Sequence, residues 1–140
     1  MTTRELYGSI GVSGYEHQQC WRKDGFFFLR LAAPDSCLRC PQCGDREVIR
    51  RGTVDRVVHA PPIGMDRTQL FILTPRLECR RCERVLNAVL PNVVPRCNYT
   101  KSLARLVIDL RKMMTIRDVA QYVGVSETMI RSIDKKYLER

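Results

Sequence analysis

The apolar positions change period once along the chain. Up to about residue 90 they fall in short β-type runs; from Thr100 they repeat at helical spacing. Residues 6–10 read as a short helix or a loop. Phe26-Phe27-Phe28-Leu29-Arg30-Leu31 reads as a packed strand between Asp24-Gly25 and Pro34-Asp35. Three further β-rich segments follow: Glu47–Arg51, Asp55–His59 and Gln69–Leu73. Gly52-Thr53 and Pro61-Pro62-Ile63-Gly64 separate them, which predicts an antiparallel meander that the Phe26 strand extends. Pro75 cannot donate to a sheet and marks a bulge or an edge. Pro91 and Pro95 mark a linker.

The helical part resolves into three segments. Leu103, Leu106, Val107, Leu110 and Met114 recur at three and four, with Lys101, Arg105, Arg111 and Lys112 between them. Thr115 caps a second helix carrying Val119, Ala120 and Val123, with Asp118 placed to answer the cap. Gly124 supplies a left-handed turn and Ser126 caps a third helix running to about Leu138. Its inner face is Ile130, Ile133 and Tyr137; Thr128, Arg131, Ser132 and Lys135 lie on the other. A small residue mid-helix (Ala120), a turn glycine (Gly124) and an apolar anchor (Ile130) are in helix-turn-helix register. The plainer reading is a three-helix packing unit with a charged outer face.

The sharpest chemical signal is Cys40-Pro41-Gln42-Cys43-Gly44, answered by Cys79-Arg80-Arg81-Cys82. Each Cys-x-x-Cys turn offers two thiolates to one tetrahedral metal, so Cys40, Cys43, Cys79 and Cys82 predict a structural Zn2+ site. Cys37 and Cys40 are also spaced as a pair. The turn-forming Pro41 and Gly44 favour Cys40 with Cys43, which leaves Cys37 as a spare thiol at the domain edge or a substitute ligand. A redox pair needs a helix N-terminus in a βαβ setting, which nothing supplies. His59 reads as an exposed strand residue, Cys20 and Cys97 as ordinary thiols, and His17 takes no role. The fold class is therefore α+β: a small zinc-bound antiparallel β domain, zinc-ribbon-like, followed by a three-helix helix-turn-helix domain. The expected divisions are a lead-in with one strand (1–36), the zinc domain (37–90), a linker (91–99) and the helical domain (100–140).

Charge adds a partner. The chain carries 24 Lys+Arg against 15 Asp+Glu, net +9. Residues 1–36 are balanced, and the excess lies in the metal segment and the C-terminal third. Such a field suits a polyanion, here double-stranded DNA. The third helix would enter the major groove, with Glu127, Thr128, Arg131 and Ser132 toward bases, Lys135 and Lys136 toward phosphates, and the capping Ser126 among the DNA-binding residues. Seven cysteines cannot all pair internally, Met1-Thr2-Thr3-Arg4-Glu5 is followed by no apolar leader, and no run of about 18 apolar residues spans a membrane. These features predict a reducing, cytoplasmic, nucleoid-associated setting without membrane contact. They leave self-association into a homo-oligomer open.

The order of parts resembles the N-terminal half of bacterial transposases of the insertion-sequence "L-three" family. The likeness is carried by Cys40-Pro41-Gln42-Cys43-Gly44, Val48-Ile49-Arg50-Arg51-Gly52, Arg56-Val57, Pro62-Ile63-Gly64, Leu70 to Leu73, Arg76 to Cys82, and the closing Ile133 to Arg140. It covers roughly residues 26–140. Glu83 departs from the family pattern where the second turn often carries Gly, and Pro75 interrupts the last strand. The resemblance implies a zinc-stabilised, sequence-specific region that reads the transposon's terminal inverted repeats. In that family an RNase H-like domain with an acidic triad and two divalent metals follows. No acidic set here matches that triad, so this chain is expected not to be an enzyme by itself. The alternatives are a stand-alone regulator or transposition inhibitor, and a zinc-ribbon module whose helices bind protein.

Overall fold

The computed structural model describes residues 11–138; the expectation for residues 6–10 lies outside them. Among the described residues the architecture is α+β, built from a five-stranded sheet and three α-helices. The strands are β1 (Glu16–Lys23), β2 (Phe26–Ala32), β3 (Val48–Ile63), β4 (Asp66–Cys79) and β5 (Arg84–Asn87). The order is β1-β2-β4-β3, with β5 also on β4. β1 pairs antiparallel with β2 around the two-residue turn Asp24-Gly25, where both φ angles are positive (53° and 80°).

The sheet corrects the expected antiparallel β domain, because β2 runs parallel to β4 from Phe26↔Arg67 to Ala32↔Leu73. It also corrects the count of strands. The three short segments between the cysteine pairs are two long strands, and β1, unpredicted, adds a second strand to the lead-in. Gly52-Thr53 and Pro61-Pro62 do not break β3; they fall at its two register shifts, Arg50/Thr53 and Ala60/Ile63. An edge strand tolerates such irregularities because one side of its backbone has no ladder to lose. Pro75 lies within the central strand, opposite Thr53 at the first shift. On the other edge of β4 it falls between the last residue paired with β2 (Leu73) and the first paired with β5 (Arg76), so the ladder is interrupted where its N–H is missing.

One face of the sheet carries the core. Leu29, Leu31, Val58, Ala60, Leu70 and Ile72 are buried there and are closed over by Val12, Tyr15, Leu90 and Val93. The Tyr15 hydroxyl donates to the Pro91 carbonyl at 2.6 Å. The other face carries stacked aromatics. Trp21 lies 5.4 Å from Phe28 and 5.7 Å from Phe71, and Phe26 lies 5.8 Å from Phe28. The scarce large rings thus brace three strands from outside while aliphatic residues fill the core.

The helices are α1 (Lys101–Leu110), α2 (Ile116–Val123) and α3 (Glu127–Leu138). Each start is capped by a hydroxyl at the third N–H: Thr100 from Leu103 (3.1 Å), Thr115 from Asp118 (3.1 Å) and Ser126 from Met129 (3.2 Å). Gly124 takes the left-handed conformation and donates to the Ala120 carbonyl at 2.9 Å. Leu103, Val107, Val119, Ala120, Val123, Ile130 and Ile133 form the helical core. Tyr137, expected on that inner face, is 51% exposed; α3 carries it past the packed turns to the rim of a groove. Arg111 fastens α3, reaching Asp134 at 2.8 Å and the Met114 carbonyl at 2.8 Å.

The sheet and the helices are laced together by residues 91–100. Asn98 O accepts from His59 N–H at 2.9 Å, and His59 O accepts from Thr100 N–H at 3.0 Å. Arg56 donates to the Cys97 carbonyl at 2.8 Å and to Asn98 Oδ1 at 3.3 Å. Arg67 crosses from β4 to α2, donating to the Gln121 carbonyl at 2.8 Å. His59 is therefore half-buried rather than exposed, and burial holds its pKa below the ordinary value. Gly124 sits directly against the Arg67 crossing: a Cβ there would lie 2.5 Å from Arg67 Cδ. Gly124→Ala adds that clash to a positive φ. It is expected to destabilise the fold by roughly 1–3 kcal/mol, read as a lowered Tm; an unchanged Tm would show that Arg67 is not seated there.

Candidate metal centre and nucleic-acid interface

Two turns meet at the end of the β3–β4 ladder that lies away from the Gly64-Met65 hairpin. The first, residues 40–44, precedes β3; the second, residues 79–83, joins β4 to β5. Val48 pairs with Cys79, so the sheet itself fixes the approach of the turns. Gly44 N–H donates to the Cys40 carbonyl at 2.9 Å, and Gln42 N–H points at Cys40 Sγ at 3.4 Å. Gly44 and Glu83 occupy matching positions after the second cysteine of each pair. Both take positive φ, 78° and 55°. The second turn thus repeats the left-handed step with a side chain present, a conformation that costs an L-residue about 1–2 kcal/mol.

The Sγ atoms of Cys40, Cys43, Cys79 and Cys82 all lie within 4.8 Å of one another. Cys40 and Cys82 are 3.7 Å apart, Cys43 and Cys79 3.6 Å. Thiolates at about 2.3 Å from a tetrahedral zinc stand about 3.8 Å apart, so the separations fit one shared ion. The protonation pattern fits as well. Hydrogen bonding from the Cys43 backbone draws the Cys40 thiol down to about 6. The Cys43 side chain, with burial, pushes the Cys82 thiol up to about 12. Four adjacent sulfurs resist full ionisation until a dication joins them. Among the described residues no other set of three or more His, Cys, Asp and Glu is placed for a metal.

The remaining thiols separate from this group. Cys37 is buried with Leu77 and Ala88, where burial raises its pKa; it packs instead of standing spare at an edge. Cys20 is exposed on β1. Cys97 departs from an ordinary thiol. Burial pushes it up, but the Lys136 ammonium 2.8 Å away, the Tyr99 side chain and Arg56 together outweigh that and hold it below its usual value.

On α3, Glu127, Thr128, Arg131, Ser132 and Lys135 are all exposed, and 128, 131, 132 and 135 share one face by helical spacing. Ser126 is exposed too, with its hydroxyl engaged as the cap. Lys136 stands apart: its Nζ turns to Cys97 on the flank of the helix. Among the described residues no helix is long and apolar enough to cross a membrane.

The four-thiol site and its two turns define a zinc finger of the ribbon type. Residues 38–82 match the family model described as the zinc-finger of transposase IS204/IS1001/IS1096/IS1165. The matched span holds all four clustered cysteines and leaves out Cys37. No curated protein matches the chain, and no solved structure matches it. Residues 38–82 are thus similar to that zinc finger, and their four cysteines are placed for one structural Zn2+.

Metal removal is expected to act locally. A strong chelator should release one zinc per chain and abolish the order of the knuckles and of β5, while α1 to α3, with their own core, stay folded. Far-UV circular dichroism and zinc release follow this together. Lowering pH should release zinc as well, since protons compete for the thiolates. Cys79→Ser should lose tight zinc binding, whereas Cys37→Ser should retain it; the reverse result would move the fourth ligand to Cys37.

Proposed function

We propose that this chain is the DNA-recognition region of a transposase of the "L-three" insertion-sequence type, reading the element's terminal inverted repeats. The observation that carries the reading is the transposase zinc-finger match over residues 38–82, in which the four matched cysteines converge on one metal-sized site. Cys40, Cys43, Cys79 and Cys82 hold the zinc, which acts as a clamp on the sheet and takes no part in chemistry. Residues 1–36 and 37–90 supply the sheet and the finger, 91–99 the connector, and 100–140 the reading unit, in a cytoplasmic, nucleoid-bound setting.

α2, the Gly124 turn and α3 act as a helix-turn-helix. The capped, Gly-turned geometry, the Ala120 and Ile130 contacts in the helical core and the exposed α3 face support this role. Arg131 has the planar fork that pairs with guanine; Thr128 and Ser132 are short hydroxyls suited to base edges; Lys135 reaches a phosphate. Glu127 tunes the helix start and selects against some bases.

Selection from a random duplex pool with the zinc-loaded chain tests this. A defined motif should emerge. Arg131→Ala should weaken binding to it by about 1–3 kcal/mol while retaining zinc and helix content. Recovery of no motif, or a motif bound equally by the variant, would remove α3 from the role.

A further inference from the structure

Basic side chains also gather away from the exposed face of α3, along two concave surfaces. Two grooves flank the connector, of about 760 Å³ and about 590 Å³. Val94 and Pro95 line both, so one residue pair stands between the two grooves. The first runs beside the zinc turn and β5, with Arg84 and Arg96 on its walls. The second runs between α1 and the end of α3, with Lys101, Arg105, Lys112 and Lys136 on its walls. Arg56 sits in the first and also braces the connector through the Cys97 carbonyl.

The opposing charge is almost absent. Among the described residues the first groove has no carboxylate in its lining, and the second has Asp109 alone, 3.5 Å from Lys112. Arg84, Arg96, Lys101 and Arg105 are exposed and form no ion pair among the described residues. Cations gathered along a groove repel; a chain of phosphates relieves that repulsion and releases its own counterions. The positive N-terminal end of α1, at Lys101, adds to the same field. The floors are apolar, from Leu86, Ala88 and Val93 in the first to Ala104, Ile108 and Ile133 in the second. Such floors suit sugar edges better than free solvent.

We propose that the two grooves form one continuous track for the phosphodiester backbone of DNA, running from the zinc turn across Val94-Pro95 to the α1–α3 groove. The track rests on the DNA-binding reading above but uses different residues from the α3 face. It assigns Lys136 to the phosphate path on the flank, not to the base-reading face. It also gives the connector a role: its hydrogen bonds to His59 and Arg56 hold the grooves in line.

The test is the salt dependence of binding by the zinc-loaded full chain to a short fluorescent duplex of unselected sequence. Two double variants probe the grooves separately: Arg84→Gln with Arg96→Gln, and Lys101→Gln with Arg105→Gln. Zinc content and helix signal are measured for each, and the pair that keeps both decides if the other does not. Each pair should lower the slope of log K against log salt by about 2, at about 0.9 per phosphate contact. Arg131→Ala should change it by about 1 at most. Wild-type slopes in the folded groove variants, with binding intact, would overturn the track and leave the α3 reading standing. Slopes reduced as expected with no selected motif would leave the track and remove the sequence-reading role. A zinc-loaded chain that binds no duplex at low salt would overturn both.

Discussion

Strand β4 has backbone partners along both edges, and the position of every other element follows from that. β3 takes one edge over nearly its whole length, while β2 and β5 share the other end to end. From Arg67 to Cys79 the strand spans roughly 40 Å at about 3.3 Å per residue. One end delivers Arg67 to the Gln121 carbonyl and the other delivers Cys79 to the thiol cluster. A central strand with this many partners is hard to shift in register, because a slip of one residue would turn Leu70 and Ile72 out of the core. The metal turns and the helices are therefore fixed relative to each other through a rigid rod.

The zinc turns and the helical unit depend on that rod differently. The turns have little core of their own: Cys37, Leu77 and Ala88 are the buried residues nearest them. Their cohesion must come from the metal, which draws four mutually repelling thiolates into one small shell. The helices have a full core and three capped starts, and need the sheet only for orientation. The lacing at His59, Arg56 and Arg67 supplies it.

What was legible in the sequence was local. The three helices, their hydroxyl caps and the Gly124 turn follow from spacing and turn chemistry within a few residues. The grouping of the four cysteines was legible because two like turns can close only one small shell. The sheet was legible only in part. Glycine and proline at 52, 61 and 62 look like strand breaks, but an edge strand absorbs them as irregularities, which depends on who lies beside it. The parallel pairing of β2 with β4 is a long-range choice that no local pattern encodes. β1 is polar apart from the adjacent Cys20 and Trp21, so no alternation marked it as a strand; its single large ring stacks across to Phe28 and Phe71. His59 looked exposed for the same reason: the segment that covers it comes from residues 98–100.

The same limit explains why charge pointed first to α3. On a helix, Arg131 and Lys135 are visibly on one face, whereas Arg84, Arg96, Lys101 and Arg105 are scattered over three segments. Only the fold gathers them along two grooves that share Val94 and Pro95 in their linings. This separation has a physical consequence for recognition. Phosphate contacts made by flexible cations are nearly indifferent to sequence, while base contacts require a rigid face held at a set depth. Under the proposed reading, Arg84, Arg96, Lys101 and Arg105 along the grooves would supply attraction, and the short hydroxyls beside Arg131 on α3 would supply discrimination. On the proposed track the zinc clamp would matter to binding without touching a base, because Arg84 stands two residues after Cys82 and is only as well placed as the turn before it.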